Sequence, residues 1–318
     1  MKQTRLLLLL AGIAACQCAQ AYPDRPVRLI VPFPPGGGTD ITARIISPEL
    51  RNRLGKPIVI DNRGGASTII GTDLGAKSTA DGHTILIVSA TFAINPSLHA
   101  TLPYDSLKDF AAITQLTSVP YIVVAHPSLG IATVKDLIAV AKSKPGQITY
   151  ASVGNGSAAH LATEMFNASA GTRLVHVPYK GSAPALADLI GGHVSLYFGS
   201  MPASLPQVRA GKLRAVAVTG AKRVPSAPDV PTIAESGVPG YEFSAWYGLL
   251  APAGTAPRIV NRLYVESKKV LELADVRERL MTDGSEAIGS TPEQFAALIR
   301  SEIAKYAKIV KQANIKAD

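Results

Sequence analysis

The chain has 318 residues, of which 47% are hydrophobic and only 17% charged, against ~25% charged in ordinary soluble domains. That composition fits one large domain or two of ordinary size with an ample core, and it excludes a disordered charged tail or a coiled coil. The formal net charge is +9, but the denser basic groups (Arg51/Arg53/Lys56, Lys142/Lys144 and Lys305/Lys308/Lys311) interleave with apolar residues at helical spacing. This is the pattern of solvated helix faces. No RNP, zinc-finger or helix-turn-helix pattern accompanies it, so no nucleic-acid partner is expected.

In chain order, Lys2 and Arg5 precede an apolar run over 6–15, and Ala19-Gln20-Ala21 follows as a small-x-small cleavage site. Residues 1–21 therefore read as an export signal with Tyr22 as the first mature residue and the periplasm as destination. The run is shorter than the roughly 20 residues of a membrane span. Ile13-Ala14-Ala15-Cys16 offers an alternative, a lipobox with Cys16 as a lipid anchor. Both cysteines, Cys16 and Cys18, lie in this segment. The chain cleaved after Ala21 then has no disulfide and no thiolate chemistry, and loss of Lys2 and Arg5 takes its net charge from +9 to +7.

An apolar strand is predicted over 27–31, closed by Pro32, and a helix over 41–54 with a kink or break at Pro48. Strands follow over 58–60 and, after a glycine-rich loop and a short helix, over 84–88. Further strands are expected over 121–125, 148–153, 194–198 and 213–219. Helices are expected over 134–141, entered from Thr133, and over 158–168 and 184–190. Two long amphipathic helices, about 258–273 and 292–312, close the chain. Alternating strands and helices imply parallel-dominated sheets flanked by helices, an α/β fold. Composition shifts near Pro120 and over 225–240 divide the chain into a first domain, 22–121 with 243–318, and an inserted domain, 122–242. The two crossing segments would form a hinge.

Two glycine-rich turns carry the functional signal. Phe33-Pro34-Pro35-Gly36-Gly37-Gly38-Thr39-Asp40 joins a predicted strand to a helix in the first domain, and Gly154-Asn155-Gly156-Ser157 does so in the second. Such turns leave backbone N–H groups free at a helix start, which makes an anion site. Each alone also reads as an ordinary tight connection. Two in separate halves, outside the carboxyl ends of strands, would face one another across a cleft. Ser157 is a natural N-cap. Phe33 is expected as one wall of the cleft, Phe198 and Trp246 as the other, and Lys180 and Arg209 as sources of positive field.

Other chemistries lack their patterns. Gly154 to Ala159 spells G-x-G-x-x-A, but no acidic residue follows about 20 positions on, so no dinucleotide is expected. There is no P-loop and no G-x-S-x-G elbow. The six histidines form no metal-ligand spacing, so neither metal nor cofactor is expected. Ser157 and His160 share a helix face, but nothing orients the histidine as a base, and a cap beside a first-turn histidine is the plainer reading.

From Arg25 onward the chain resembles the tripartite tricarboxylate transporter substrate-binding proteins, the Bug family. The likeness rests on Val31-Pro32-Phe33 with the turn at 36–40, on Ile60 to Ala66, on Asp81-Gly82-His83-Thr84, and on Gly154 to Ser157 with His160-Leu161. It continues through His176-Val177-Pro178-Tyr179-Lys180-Gly181, Val230 to Gly237, Trp246 to Leu249 and Pro252 to Thr255. Resemblance implies a two-domain fold of the type II periplasmic binding proteins, with no catalytic residues. It implies a small organic carboxylate in the cleft (a dicarboxylate, tricarboxylate, acidic amino acid or aromatic acid) held by main-chain amides, hydroxyls and water. On that basis Phe33, Pro35, Gly36, Gly37, Gly38, Thr39, Asp40, Gly154, Asn155, Gly156, Ser157, His160, Phe198 and Trp246 are the expected site residues. Implied partners are a large and a small membrane transporter subunit, the receptor itself being a monomer. The chain departs from the family pattern at Gly64-Gly65-Ala66-Ser67-Thr68, where Ser67 and Thr68 would add hydroxyl donors or cap the next helix. Rival readings are an exported enzyme on acidic substrates and a ligand-presenting partner of a membrane sensor kinase.

Overall fold

The computed structural model describes residues 22–312 and 315; the expected export signal, with Cys16 and the cleavage site, lies outside them. The strands are β1 (Val27–Val31), β2 (Ile58–Asn62), β3 (Thr84–Ser89), β4 (Phe110–Ala125), β5 (Thr149–Ser152), β6 (Val175–Pro178), β7 (Leu196–Ser200), β8 (Arg214–Val218), β9 (Ser244–Pro252) and β10 (Glu286–Ala287). The helices are α1 (Gly38–Leu54), α2 (Ile69–Ala76), α3 (Ala90–Leu98), α4 (Val134–Ser143), α5 (Ala158–Ala170), α6 (Ser182–Ile190), α7 (Met201–Arg209), α8 (Pro257–Glu272), α9 (Ala274–Thr282) and α10 (Pro292–Gln312).

The strands run β2-β1-β3-β9-β4-β7-β5-β6, and β8 and β10 also pair with β4. Strand β4 belongs to both halves of this sheet. Its residues from Phe110 to Pro120 pair with β9, and those from Tyr121 to Ala125 pair with β7 on one side and β8 on the other. The parallel pairing expected from strand-helix alternation holds in the outer strands, β1 with β2 and β3, and β5 with β6 and β7. The pairings of β4 and β9 at the centre are antiparallel, because both are crossing strands rather than parts of a strand-helix-strand unit. Helices cover both faces, so β1 and β7 are apolar almost throughout.

Chain crossings between the halves meet at one buried side chain. Thr219 Oγ1 accepts from Tyr121 N (2.7 Å) and donates to the Phe243 carbonyl (2.7 Å). Its backbone bonds the same two residues, donating to the Tyr121 carbonyl and accepting from Phe243 N.

Thr133 and Asp136 form a reciprocal capping box at α4, as its position before the predicted helix implies. Helix α1 continues through Pro48 to Leu54 rather than breaking there. The stretch before Pro120, mixed in polarity, is strand and not loop, because β9 pairs with it along its whole length. No helix among the described residues is long and apolar enough to cross a membrane.

Candidate functional site

The first glycine turn leaves β1 at Pro32 and opens α1. Gly36 sits at φ +86°, a region that glycine enters without steric cost. Asp40, almost fully buried, folds back on this turn. Its carboxylate accepts from Gly36 N (2.9 Å), from Arg44 Nε (2.9 Å) and Nη2 (3.0 Å), and from Asn62 Nδ2 (3.0 Å). Burial pushes the Asp40 carboxyl up, but the hydrogen bonds from Arg44, Gly36 and Asn62 and the charge of Arg44 outweigh it, so it stays below the ordinary carboxylate value. The Gly36 N–H and the Asp40 carboxylate therefore shape the turn and are spent within it, contrary to expectation. The N–H groups of Gly38 and Thr39 have no acceptor among the described residues, as the first helical turn dictates.

The second turn behaves differently. Ser157 caps α5 as expected, accepting from His160 N (3.3 Å). But Gly154 N donates to Ser152 Oγ (3.1 Å), Gly156 N to His160 Nδ1 (3.0 Å), Ser157 N to the Gly154 carbonyl (3.1 Å) and Ala158 N to Thr91 Oγ1 (3.3 Å). These four amide donors are occupied by the protein. His160 stacks on His176 with ring centroids 3.9 Å apart, and His176 Nε2 lies 2.6 Å from Ser152 Oγ. Burial, with His160 adding, drives the His176 pKa down to about 3. Gly156 and His160 thus belong to a structural network, while Gly154, Asn155 and Ser157 line an outer cleft.

The convergence lies elsewhere. Between the halves is a cavity of about 30 Å³ lined by Gly37, Gly38 and Thr39 of α1, Ser89 and Thr91 of α3, Gly181 and Ser182 of α6, and Ser200 of α7. Gly37, Ser89, Gly181 and Ser200 are the N-caps of those four helices. Phe33, Pro34, Val153 and the tyrosines Tyr121, Tyr197 and Tyr247 complete the wall, and no lining side chain is charged. Burial pushes the Tyr197 hydroxyl up to about 12 and raises those of Tyr121 and Tyr247 as well, so all three remain neutral donors. Four positive helix ends and eight neutral hydroxyls are arranged for negative charge. The volume holds a group of carboxylate size, since each water-sized group needs about 10–15 Å³ of such space.

The two faces touch around it. A Cβ on Gly38 would lie 2.2 Å from Tyr247 Oη and 3.0 Å from Ser200, one on Gly37 3.5 Å from Ser182 Oγ, and one on Gly181 3.2 Å from Pro34. The glycine turn opposite 36–38 is therefore the one at Gly181-Ser182. The outer cleft, about 980 Å³, adjoins the inner cavity through Phe33, Pro34, Thr91 and Val153 and also holds Pro35, Asn62, His99 and Lys180.

Phe198 and Trp246 are not walls of this site. Phe198 is fully buried against Phe166, and Trp246 packs edge-on against Phe295 with Nε1 3.4 Å from Glu302. In each strand the adjacent residue, Tyr197 before Phe198 and Tyr247 after Trp246, reaches the cavity instead, because successive side chains point to opposite faces. Ser89, Thr91, Ser182 and Ser200 carried no motif of their own; the available signal was the glycine after the strand in His176 to Gly181. Arg209 is turned away, donating to the carbonyls of Ser226 and Thr282. Among the described residues no group of His, Cys, Asp or Glu is placed to hold a metal ion.

A family model described as tripartite tricarboxylate transporter family receptor matches residues 42–315. Protein BugT of Bordetella pertussis is 40% identical, over 99% of each chain. R. palustris Rpa4515, solved with adipate, superposes with a TM-score of 0.91 at 39% identity, covering 93% of this chain and 99% of its own. MatC of Rhodopseudomonas palustris, solved with bound malate, gives a TM-score of 0.86 at 31% identity, over 91% and 100%.

Proposed function

The chain belongs to the tripartite tricarboxylate transporter receptor family, and from that premise we propose that it captures a small organic carboxylate outside the cytoplasm and delivers it to the transporter's membrane subunits. It is a periplasmic-type solute-binding protein and not an enzyme. The observation that carries the proposal is the small inner cavity, open toward the outer cleft, where four helix N-termini and eight hydroxyls converge with no charged side chain. One ligand carboxylate sits there, bonded by the N–H groups of Gly38 and Thr39 and by neighbouring hydroxyls. The remainder of the molecule extends past Phe33 and Val153 into the outer cleft. Neutral donors suit a receptor that must release its cargo, since no buried countercharge is stranded when the anion leaves.

The halves act as domains 22–121 with 243–318 and 122–242, hinged where Thr219 ties the crossing segments together. In this reading the receptor acts as a monomer. Export with cleavage after Ala21 is consistent with the seating of Tyr22, whose hydroxyl donates to the Gly82 carbonyl (2.7 Å). Mass spectrometry of the mature N-terminus separates Tyr22 from a lipidated Cys16.

A panel of dicarboxylates, tricarboxylates, acidic amino acids and aromatic acids, screened by thermal shift with analysis of the recovered acid, tests the reading. At a hundredfold excess over Kd, binding stabilises by about 2.7 kcal/mol, several degrees in Tm. The expected result is such a shift with one class of acid, recovered chemically unchanged. Flat melting curves across the panel, or consumption of the acid, would overturn the proposal.

A further inference from the structure

Three consecutive residues, Ala66, Ser67 and Thr68, have φ of 43°, 49° and 80°, and among the described residues they are the only non-glycines at positive φ. That region is uncommon for any side chain and an outlier for a β-branched one. The run is clamped from below. Asn95, fully buried on α3, donates through Nδ2 to the Ser67 carbonyl (3.0 Å) and to Thr68 Oγ1 (3.2 Å). The loop before it is wedged on the first glycine turn, where a Cβ on Gly64 would lie 2.8 Å from Pro34. Thr68 holds the N-cap position of α2 without a side-chain cap bond, so helix capping does not account for the conformation.

What the conformation does is aim Ser67. Its hydroxyl crosses the outer cleft and donates to the carbonyl of Asn155, in the turn of the opposite half. The approach is close, since a Cβ on Gly154 would stand 3.4 Å from Ser67 Oγ. The amides on either side of Asn155, those of Gly154 and Gly156, are occupied within the turn, and its carbonyl is the group that meets the loop. Strained backbone that surrounding contacts over-determine marks a place where geometry serves function.

We infer that Ser67 is a latch across the cleft: a positioning residue whose hydroxyl holds the two halves together and so lengthens the residence of the bound acid. This rests on the function proposed above. The latch acts on the closed state, so it governs dissociation more than association. A neutral hydrogen bond of this kind corresponds to roughly twofold to tenfold in affinity.

Two variants separate the latch from a structural role. Ser67→Ala removes the hydroxyl and keeps the strain; Ser67→Gly removes both. Dissociation of adipate, malate and citrate is followed by stopped flow, thermal melting is followed without ligand, and small-angle scattering is recorded on the ligand-free proteins. Both variants are expected to release the bound acid about two to ten times faster than wild type, with association unchanged. Both are also expected to scatter as more open molecules, while Ser67→Gly melts a few degrees above Ser67→Ala. Binding then follows the hydroxyl and stability follows the backbone. Unchanged release and scattering in both variants, or recovery of wild-type release in Ser67→Gly, would overturn the latch. If none of the three acids binds wild-type protein, scattering alone decides the latch, and the proposed function is decided separately by the full panel.

Discussion

Gly38→Ala places a methyl group where the structure has least room for one. Its Cβ would lie 2.2 Å from Tyr247 Oη and 3.0 Å from both Cβ and Oγ of Ser200, with a cavity of only about 30 Å³ beside them. Tyr247 is 2% exposed and cannot swing into solvent, so α1 and its two free amides must shift instead. Overpacking of this kind costs about 1–3 kcal/mol of stability, a loss of roughly 2–10 °C in Tm for a chain of this size. The cost to binding is larger. Two charge-assisted bonds at about 1.5–3 kcal/mol each amount to roughly 10²- to 10⁴-fold in Kd. Gly37→Ala is the control, because its Cβ would make an ordinary contact at 3.5 Å with Ser182 Oγ and its backbone, at φ −86°, accepts alanine. Calorimetric titration with the acid that most stabilises wild type, alongside melting curves, reads both effects. Gly37→Ala is expected to bind within about threefold of wild type. A folded Gly38→Ala protein that also binds within threefold would refute the placement of the carboxylate.

Three further outcomes follow from the same geometry. Tyr197→Phe and Tyr247→Phe each remove a neutral donor from the cavity wall and should weaken binding about tenfold or more in titration, with native circular dichroism. Trp246→Phe should lower stability by about 2 kcal/mol in urea unfolding and leave Kd within twofold, since the indole lies in the core against Phe295 and not in the site. The imidazole of His176 is held neutral down to about pH 3 when folded, first by burial and then by His160, whereas unfolded histidine protonates near 6.5. Between those values the unfolded chain binds more protons, so stability falls as pH falls. Allowing for solvent screening of a part-exposed ring, denaturant unfolding at pH 5 should give about 1 kcal/mol less than at pH 7.5, and His176→Gln should flatten that difference.

The first glycine turn could be read from the residues because a strand and a triple glycine follow in close succession from Val27 to Gly38. What could not be read was the use of each N–H. Whether Gly36 and Gly156 face a ligand or the protein depends on Asp40 folding back and on His160 presenting Nδ1, both set by neighbours far from the turn. The aromatic walls went wrong by one residue in two strands, Phe198 for Tyr197 and Trp246 for Tyr247. When helices bury both faces of a sheet, apolar residues occur in either phase, and alternation loses its power to say which one meets the cleft. The partner turn at Gly181-Ser182 was concealed differently. Helix α6 starts at Ser182, two residues before its predicted beginning at Pro184, so the sequence pattern puts its start outside the helix. The motifs from His176 to Gly181 and from Trp246 to Leu249, by contrast, lie in or beside the real walls, and the family resemblance drawn from them agrees with the family match.

The most direct test is a crystal structure with the tightest-binding acid of the panel. The account predicts a carboxylate in the inner cavity, its oxygens about 2.7–3.1 Å from the amide nitrogens of Gly38 and Thr39 and within reach of Ser182, with the rest of the molecule in the outer cleft. An acid bound with those two amides unengaged, or neutralised by a lysine or arginine side chain instead, would contradict it.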